Sequence, residues 1–594
     1  MVAMVAMISL AREHIFAIAA ASFLALLVAS PLYLVPAALG VQYAGINIME
    51  FGNDEHLYLT RGKEALEGKN LGQPFLAEGK EKPDPTQSYA EHILVAPLRL
   101  MHLENRIDIV TYFNVLNTLG VFALVLLMYS LGLRLSGNRW IALGSAVFAI
   151  GGYSIIEAKT FFYDQFNIYG RSIFPYASSV PFFIFLNTLF DALIAKRSWR
   201  QSVVAGALLG LLCYVYFYAW TFSVALLGSL GILFLYFRDF DALKRTVAVG
   251  ALGLAVGAYY LYTLLSIFFG SYAAQISFFY YTVLSHAPVM SKIGTATAAL
   301  LTLVLWRGSR DRALVFIAAI IAAGWIALNQ QIITGRMLQY GHYYWYFIVP
   351  LGVIIGGALL SRLIPERFVR YIGVALIVLA FLDLAGQQIR AVEKAMPTKI
   401  HEQAYAPLLA ILNGEPPGIV FTGAWGGEGN AALVTMYTSH DLYWVPSAEV
   451  HVFPVKRLRE ALLVHLYLNR ESRADPISYL REMLAMRSTA TNEYVNMYGE
   501  WEGLSTGLEY YTYQRAIADG EASFGGVRES LMREIATEYE KIKTPAAISK
   551  LLEERGVRFL IWDTSFYPEW DLSVFTNLSE IARRGPVVLY EFSN

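Results

Sequence analysis

Three short stretches hold the residues best suited to chemistry. The first is GNDEHLY, residues 52–58, in which Asp54 and Glu55 are adjacent acids. A positioned carboxylate can take a proton from an attacking hydroxyl, and a neighbouring one can hold a metal or order an acceptor. The same residues fit a plain helix start: Asn53 is a good N-cap, the acids fall in the first turn, and Gly68 can end the helix. The second stretch is EAKTFFYDQFNIYGRSIF, residues 157–174, where Asp164 follows Glu157 and Lys159 and precedes Arg171. Asp164 could complete a metal site with Asp54, or help bind the acceptor. Lys159 and Arg171 suit a phosphate, arginine through two parallel bonds. The third is NQQIITGRMLQYGH, residues 329–342, a density of polar groups that needs partners. Arg336 suits a phosphate there, and His342 a phosphate or hydroxyls. The plainer reading of both later stretches is a solvated loop with snorkelling cations.

Elements that place these stretches follow from hydrophobicity. The chain has 594 residues, 56% hydrophobic and 16% charged, against roughly 25% charged in soluble proteins. The depletion is confined to residues 1–390. A span needs about 20 apolar residues. Candidate spans lie near 15–39, 109–133, 140–156, 175–195, 201–218, 221–237, 246–269, 293–306, 313–328, 343–360 and 370–388. The first is too long for the core of a cleaved signal peptide and reads as a retained anchor. Alternate loops carry the cations: Arg134 and Arg139; Lys196, Arg197 and Arg200; Arg238, Lys244 and Arg245; Arg307, Arg310 and Arg312; Arg362, Arg367 and Arg370. All five fall on one side, with Arg12, and the positive-inside rule makes that side the cytoplasm. The three chemical stretches then lie on the outer side, at headgroup depth, where ionisable groups tend to be functional.

The expected fold is therefore an all-α polytopic membrane domain of about eleven transmembrane helices, residues 1–390, followed by an extracytoplasmic α/β domain, residues 391–594. In the second domain, 418–423, 441–446, 558–563 and 587–593 read as strands, and 455–469, 476–486 and 527–555 as helices. The formal net charge of −1 gives no reason to expect nucleic acid, and the single cysteine, Cys213, cannot form an internal disulfide. The glycine-rich GAWGGEG, 423–429, lacks dinucleotide-loop spacing and reads as a turn, and His440, His451 and His465 lack metal-ligand spacing.

Asp54-Glu55 in a first outer loop, then Tyr58 and the helix to Leu66, resembles the C-type (GT-C) membrane glycosyltransferases, such as the protein O-mannosyltransferases and the aminoarabinose transferase of lipid A. The resemblance implies an inverting glycosyltransferase that takes a sugar from a polyprenyl-phosphate donor to a lipid, glycan or protein acceptor. It implies Asp54 as base or acceptor-binding acid, Glu55 beside it, and a further acid such as Asp164. Tyr58, Lys159, Arg171, Arg336 and His342 would then bind substrate. A divalent metal is the one cofactor such a set would take, through Asp54 and Asp164. The first loop departs from close relatives of the aminoarabinose transferase in its long polar continuation, KEKPDPTQSYAEHIL, and no WWDYG stretch marks an oligosaccharyltransferase. The rivals are a transporter or flippase of a lipid-linked saccharide and an inactive scaffold. Transporters place polar groups at mid-membrane, often in repeated halves, and neither feature is visible here.

Overall fold

The computed structural model describes residues 14–593, apart from 50–53, 85–87, 105, 172, 280–282, 338, 424–429, 446–447, 449–450, 487–492, 509 and 519–524. Arg12, the expected cap Asn53 and most of the GAWGGEG turn lie outside these residues. Among the described residues, seven helices are long and apolar enough to cross a bilayer: Ile109–Ser136, Ala177–Ala195, Phe217–Tyr236, Phe240–Phe268, Arg312–Thr334, Tyr340–Leu363 and Glu366–Glu402. Ile15–Val28 and Pro31–Gln42 make an eighth as a pair bent by 41°. The bend has a cause, since Pro31 cannot donate to the preceding turn. Three shorter apolar helices, Arg139–Gly151, Trp199–Val215 and Lys292–Trp306, lie among them. The expected segments are thus all helical, but three are too short to pass as spans by length alone. The chain is an integral membrane protein.

Ion pairs fix one end of the bundle. Arg134 pairs with Asp191, Arg197 with Asp239 and Asp241, Arg312 with Asp239, and Arg362 with Asp311. These ties join all five basic loops, so the five share one end. The chemical stretches lie at the other.

The last spanning helix, Glu366–Glu402, is the spine. Its 37 residues reach about 55 Å at 1.5 Å per residue, and it runs unbroken through 390–391. Helix Arg139–Gly151 packs on it through small residues: a Cβ on Gly144 would lie 2.5 Å from the Gly373 carbonyl oxygen. Only glycine permits that approach, which in a membrane is how helices gain packing energy.

The first loop folds as part of the C-terminal domain. Helix Asp54–Leu66 ends as expected, with Gly68 left-handed at φ 80°. Buried Arg61 binds Glu91 at 2.6 Å, Asp84 at 2.9 Å and His451 Nε2 at 3.0 Å. Burial and the neighbouring guanidinium push His451 down to about 3, so it is neutral. Leu59, Phe75 and Val95 share one apolar core with Val420, Phe421 and Leu560 of the domain. The sheet has five strands, β3 (Ile419–Gly423), β4 (Asp441–Leu442), β5 (Val557–Asp563), β6 (Leu578–Arg584) and β7 (Val587–Phe592), in the order β4-β3-β5-β7-β6. The first three are parallel, the last two antiparallel. A parallel bridge from Leu76 to Leu442 continues the sheet into the first loop. Two departures from expectation stand out. Edge strand β6 is mostly exposed and polar, so its sequence did not read as a strand. The helix expected over 527–555 is two, Gly525–Ile542 and Pro545–Glu554, because Thr544 caps a new start at Pro545.

His401, near the end of the last spanning helix, pairs with Asp563 at the end of β5. The bond to Asp563 raises His401 above its usual 6.5. Burial opposes the Asp563 charge, yet bonds from His401, Ser565 and Tyr405 hold it below its usual 3.8. A raised histidine contributes stability below its unfolded pKa and loses it as pH rises through the folded one; a depressed carboxyl loses it as pH falls through its own. The pair is therefore at full strength between about 3.8 and 6.5. Melting temperature in detergent should decline from there toward alkaline pH, and His401→Gln should flatten that limb. An unchanged alkaline limb in the variant would remove the pair from this role.

Candidate functional site

The loop end of the bundle gathers four separate segments around one buried ion pair. Glu55, in the first turn of helix Asp54–Leu66, is fully buried, and Arg171 is 4% exposed by side chain. Arg171 Nε donates to Glu55 Oε1 at 2.9 Å, and its Nη1 donates to the Tyr346 hydroxyl at 3.0 Å. Asn117, inside the span Ile109–Ser136, holds the guanidinium's backbone in place. Its Nδ2 donates to the carbonyl of Tyr169 at 3.1 Å and to that of Arg171. Two residues chosen from sequence for different duties are thus partners. Glu55, expected as a catalytic acid beside Asp54, is fully buried and paired with Arg171.

His342 belongs to the same cluster. Its ring stacks on Tyr218 with centroids 4.7 Å apart and planes 14° apart, and its Nδ1 bonds the Tyr216 hydroxyl. Tyr216 stands in extended conformation at the break between helices Trp199–Val215 and Phe217–Tyr236. Tyr346, Tyr58 and Arg171 lie near it, which brings Tyr58 to the site as well. Tyr58 packs against both apolar cores, that of the bundle and that of the domain.

Glu157 supplies the carboxylate that the sequence left unchosen. It lies in the π-helical turn Ser154–Ala158, and Trp345 and Tyr346 lie in a second, Tyr344–Ile348. Such turns add a residue to the helix and re-aim side chains, often at functional sites. Glu157 bonds the Trp345 side chain, and its Oε1 is buried with no hydrogen-bond partner among the described residues. Burial raises its pKa, with Lys159 opposing. Tyr153 lies near both Glu157 and Arg171. A half-buried carboxylate bonded to Trp345, with Tyr153 near both it and Arg171, can accept a proton or a substrate hydroxyl.

Three expected site residues lie at the margin. Asp164 pairs with Lys394 at 3.0 Å and is half exposed. Lys159 is exposed, in left-handed conformation, and its Nζ turns back to the Glu157 carbonyl. Arg336 is exposed on β2 (Arg336–Met337), which pairs with β1 (Val283–Leu284). Asp54 opens its helix, and its side chain lies outside the described residues. Among the described residues no three His, Cys, Asp or Glu side chains gather to share a metal. Of the expected Asp54–Asp164 metal site, Asp164 is paired with Lys394 and the Asp54 side chain lies outside the described residues.

No protein-family model matches the chain, and no curated protein does. Among solved structures, it is similar to ArnT from Cupriavidus metallidurans bound to undecaprenyl phosphate, at 10% identity, 94% of this chain, 96% of that one and TM-score 0.46. It is also similar to the Archaeoglobus fulgidus oligosaccharyltransferase in its apo form, at 10% identity, 93% and 70% coverage and TM-score 0.46. AglB from the same organism, in complex with an inhibitory peptide and a dolichol-phosphate, matches at 12% identity, 93% and 69% coverage and TM-score 0.40.

Removing one member of a buried ion pair strands the other, at about 3–5 kcal/mol. Glu55→Ala should therefore destabilise the folded protein by about that much. Glu55→Ala with Arg171→Met should recover most of the loss, because no lone charge remains. Unfolding midpoints in denaturant measure both. Simple additivity of the two substitutions would mean that the pair does not hold the loops together.

Proposed function

We propose that the chain is a membrane glycosyltransferase, moving a sugar from a polyprenyl-phosphate donor to a lipid, glycan or protein acceptor, with inversion. The observation that supports it is the convergence of a carboxylate, a fixed arginine, a histidine and an aromatic wall from four segments at one end of a membrane bundle. That end is opposite the basic loops, so the site faces outward, the N-terminus is cytoplasmic and the C-terminal domain is extracytoplasmic. A donor on a lipid brings its phosphate to this depth, and the prenyl chain stays in the bilayer.

The acceptor attacks the anomeric carbon from the face opposite the phosphate. The bond from that carbon to the phosphate oxygen breaks, and the phosphate leaves with the electron pair. The acceptor's proton passes to a carboxylate. Glu157 and Asp54 are the acids for this, one as base and the other ordering the acceptor. Arg171 places a positive charge where the leaving phosphate gains negative charge, in a site poor in water, where such a charge counts most. His342, held between Tyr216 and Tyr218, binds phosphate or sugar hydroxyls. Tyr58 and Trp345 offer flat faces to the sugar.

A short-chain polyprenyl-phosphate sugar and purified protein test this. Asp54→Asn and Glu157→Gln should each lower turnover by about 10²–10⁴-fold, as expected on losing a positioned base or its partner. Because burial raises Glu157 above the usual 4.5, turnover should climb with pH through a carboxyl titrating higher than that, and Glu157→Gln should lose the limb. Near-normal turnover in both variants would refute the assignment. Transfer from a soluble nucleotide sugar, with none from the lipid-linked one, would refute the donor class.

A further inference from the structure

Residues 159–162 form a strained turn just after Glu157. Lys159 and Phe162 are both left-handed, each at φ 55°, a conformation that non-glycine residues keep only when their surroundings enforce it. The surroundings here are one face of the last spanning helix. Asp383, fully buried, accepts the Phe162 N–H at 2.9 Å. Three residues on, Gly386 makes room for the Phe162 ring: a Cβ there would lie 2.2 Å from it. Four further on, the Arg390 guanidinium lies over the ring at 5.5 Å. Positions 383, 386 and 390 form one stripe of a helix. The turn also closes on itself, since the Tyr163 and Thr160 amides bond Ser154. Glu157 therefore sits between Ser154 and a turn gripped by the spine. A carboxylate inside a membrane helix is costly and calls for such a use.

We propose that Asp383, Gly386 and Arg390 form a latch that holds the 159–162 turn and so positions Glu157 for transfer. This rests on the function proposed above, in which Glu157 touches the substrate; the latch residues act only through it. Asp383→Ala removes the acceptor of the Phe162 amide, and Asp383→Asn keeps it. Gly386→Ala displaces the Phe162 ring by a route that leaves the carboxylate alone.

Hydrogen exchange of the peptide containing Phe162, read by mass spectrometry on detergent-purified protein, reports the latch itself. Exchange should quicken in Asp383→Ala and Gly386→Ala and stay slow in Asp383→Asn. Kinetics report what the latch does. Each disrupting variant should lower kcat by up to about 10²-fold, the scale of a misplacement near 1 Å, with little change in donor KM. In a Glu157→Gln background they should lower kcat no further. Unchanged exchange would overturn the latch. Faster exchange with normal kcat, or an undiminished loss in the Glu157→Gln background, would overturn the positioning role while leaving the proposed function intact. A wild-type protein that transfers no sugar from the lipid-linked donor would overturn that function, and this inference with it.

Discussion

The buried pair between Glu55 and Arg171 is the interaction on which the loop end depends. Two charges taken out of water cost more than an exposed pair returns, unless geometry and extra bonds compensate. Here the compensation comes from three elements. Helix Asp54–Leu66 brings the carboxylate, Tyr346 shares the guanidinium, and Asn117 fixes the main chain behind it. Moving the helix alone would strand a charge, and moving Tyr346 or Asn117 would leave a buried donor or carbonyl unpaired. The pair thus ties the first and second outer loops to two spanning helices, and Tyr216, Tyr218 and His342 complete the wall. A group that must stabilise developing charge is worth most when it is preorganised in this way.

The rest of the fold keeps the wall still. Glycine contacts bring helix Arg139–Gly151, which leads into the Glu157 turn, hard against the last spanning helix. That helix then continues past the bilayer to Gln403, which accepts the Ala44 amide and bonds both polar groups of Ile46. The first loop is held a second time, by Arg61 and by an apolar core it shares with the C-terminal domain. The domain therefore braces the segment that carries Asp54 and Glu55, and β5 ties back to the spine through Asp563.

Much of this frame was legible in the sequence, because it rests on hydrophobicity and charge, which act locally. Apolar runs marked the helices, and the five basic loops that the Lys/Arg pattern grouped together are the ones joined by ion pairs. Apolar, β-branched and aromatic runs marked β3, β5 and β7, whereas β6, with Glu580, Arg583 and Arg584 exposed at an edge, carried no such signal. The site was legible in part. Glu55, Tyr58, Arg171 and His342 meet, whereas Asp164, Lys159 and Arg336 lie at the margin. That Glu157 lies by Trp345 while Asp164 lies at the margin could not be read from residue type, since both are acids in one loop. What separates them is a π-helical turn and the reach of Lys394, both set by tertiary contact. The same holds for Tyr346 and Tyr216, which fall inside the expected spans 343–360 and 201–218.

The central claim is that this wall receives a polyprenyl phosphate. Trp345 stands beside Glu157 in it, so its fluorescence reports occupancy directly. Titrating detergent-purified protein with a short-chain polyprenyl phosphate should give a saturable change in tryptophan emission. The change should be lost in Trp345→Phe and be much weaker with the matching polyprenol, which lacks the phosphate. Equal responses to the phosphate and the alcohol, or no saturable response to either, would contradict the account.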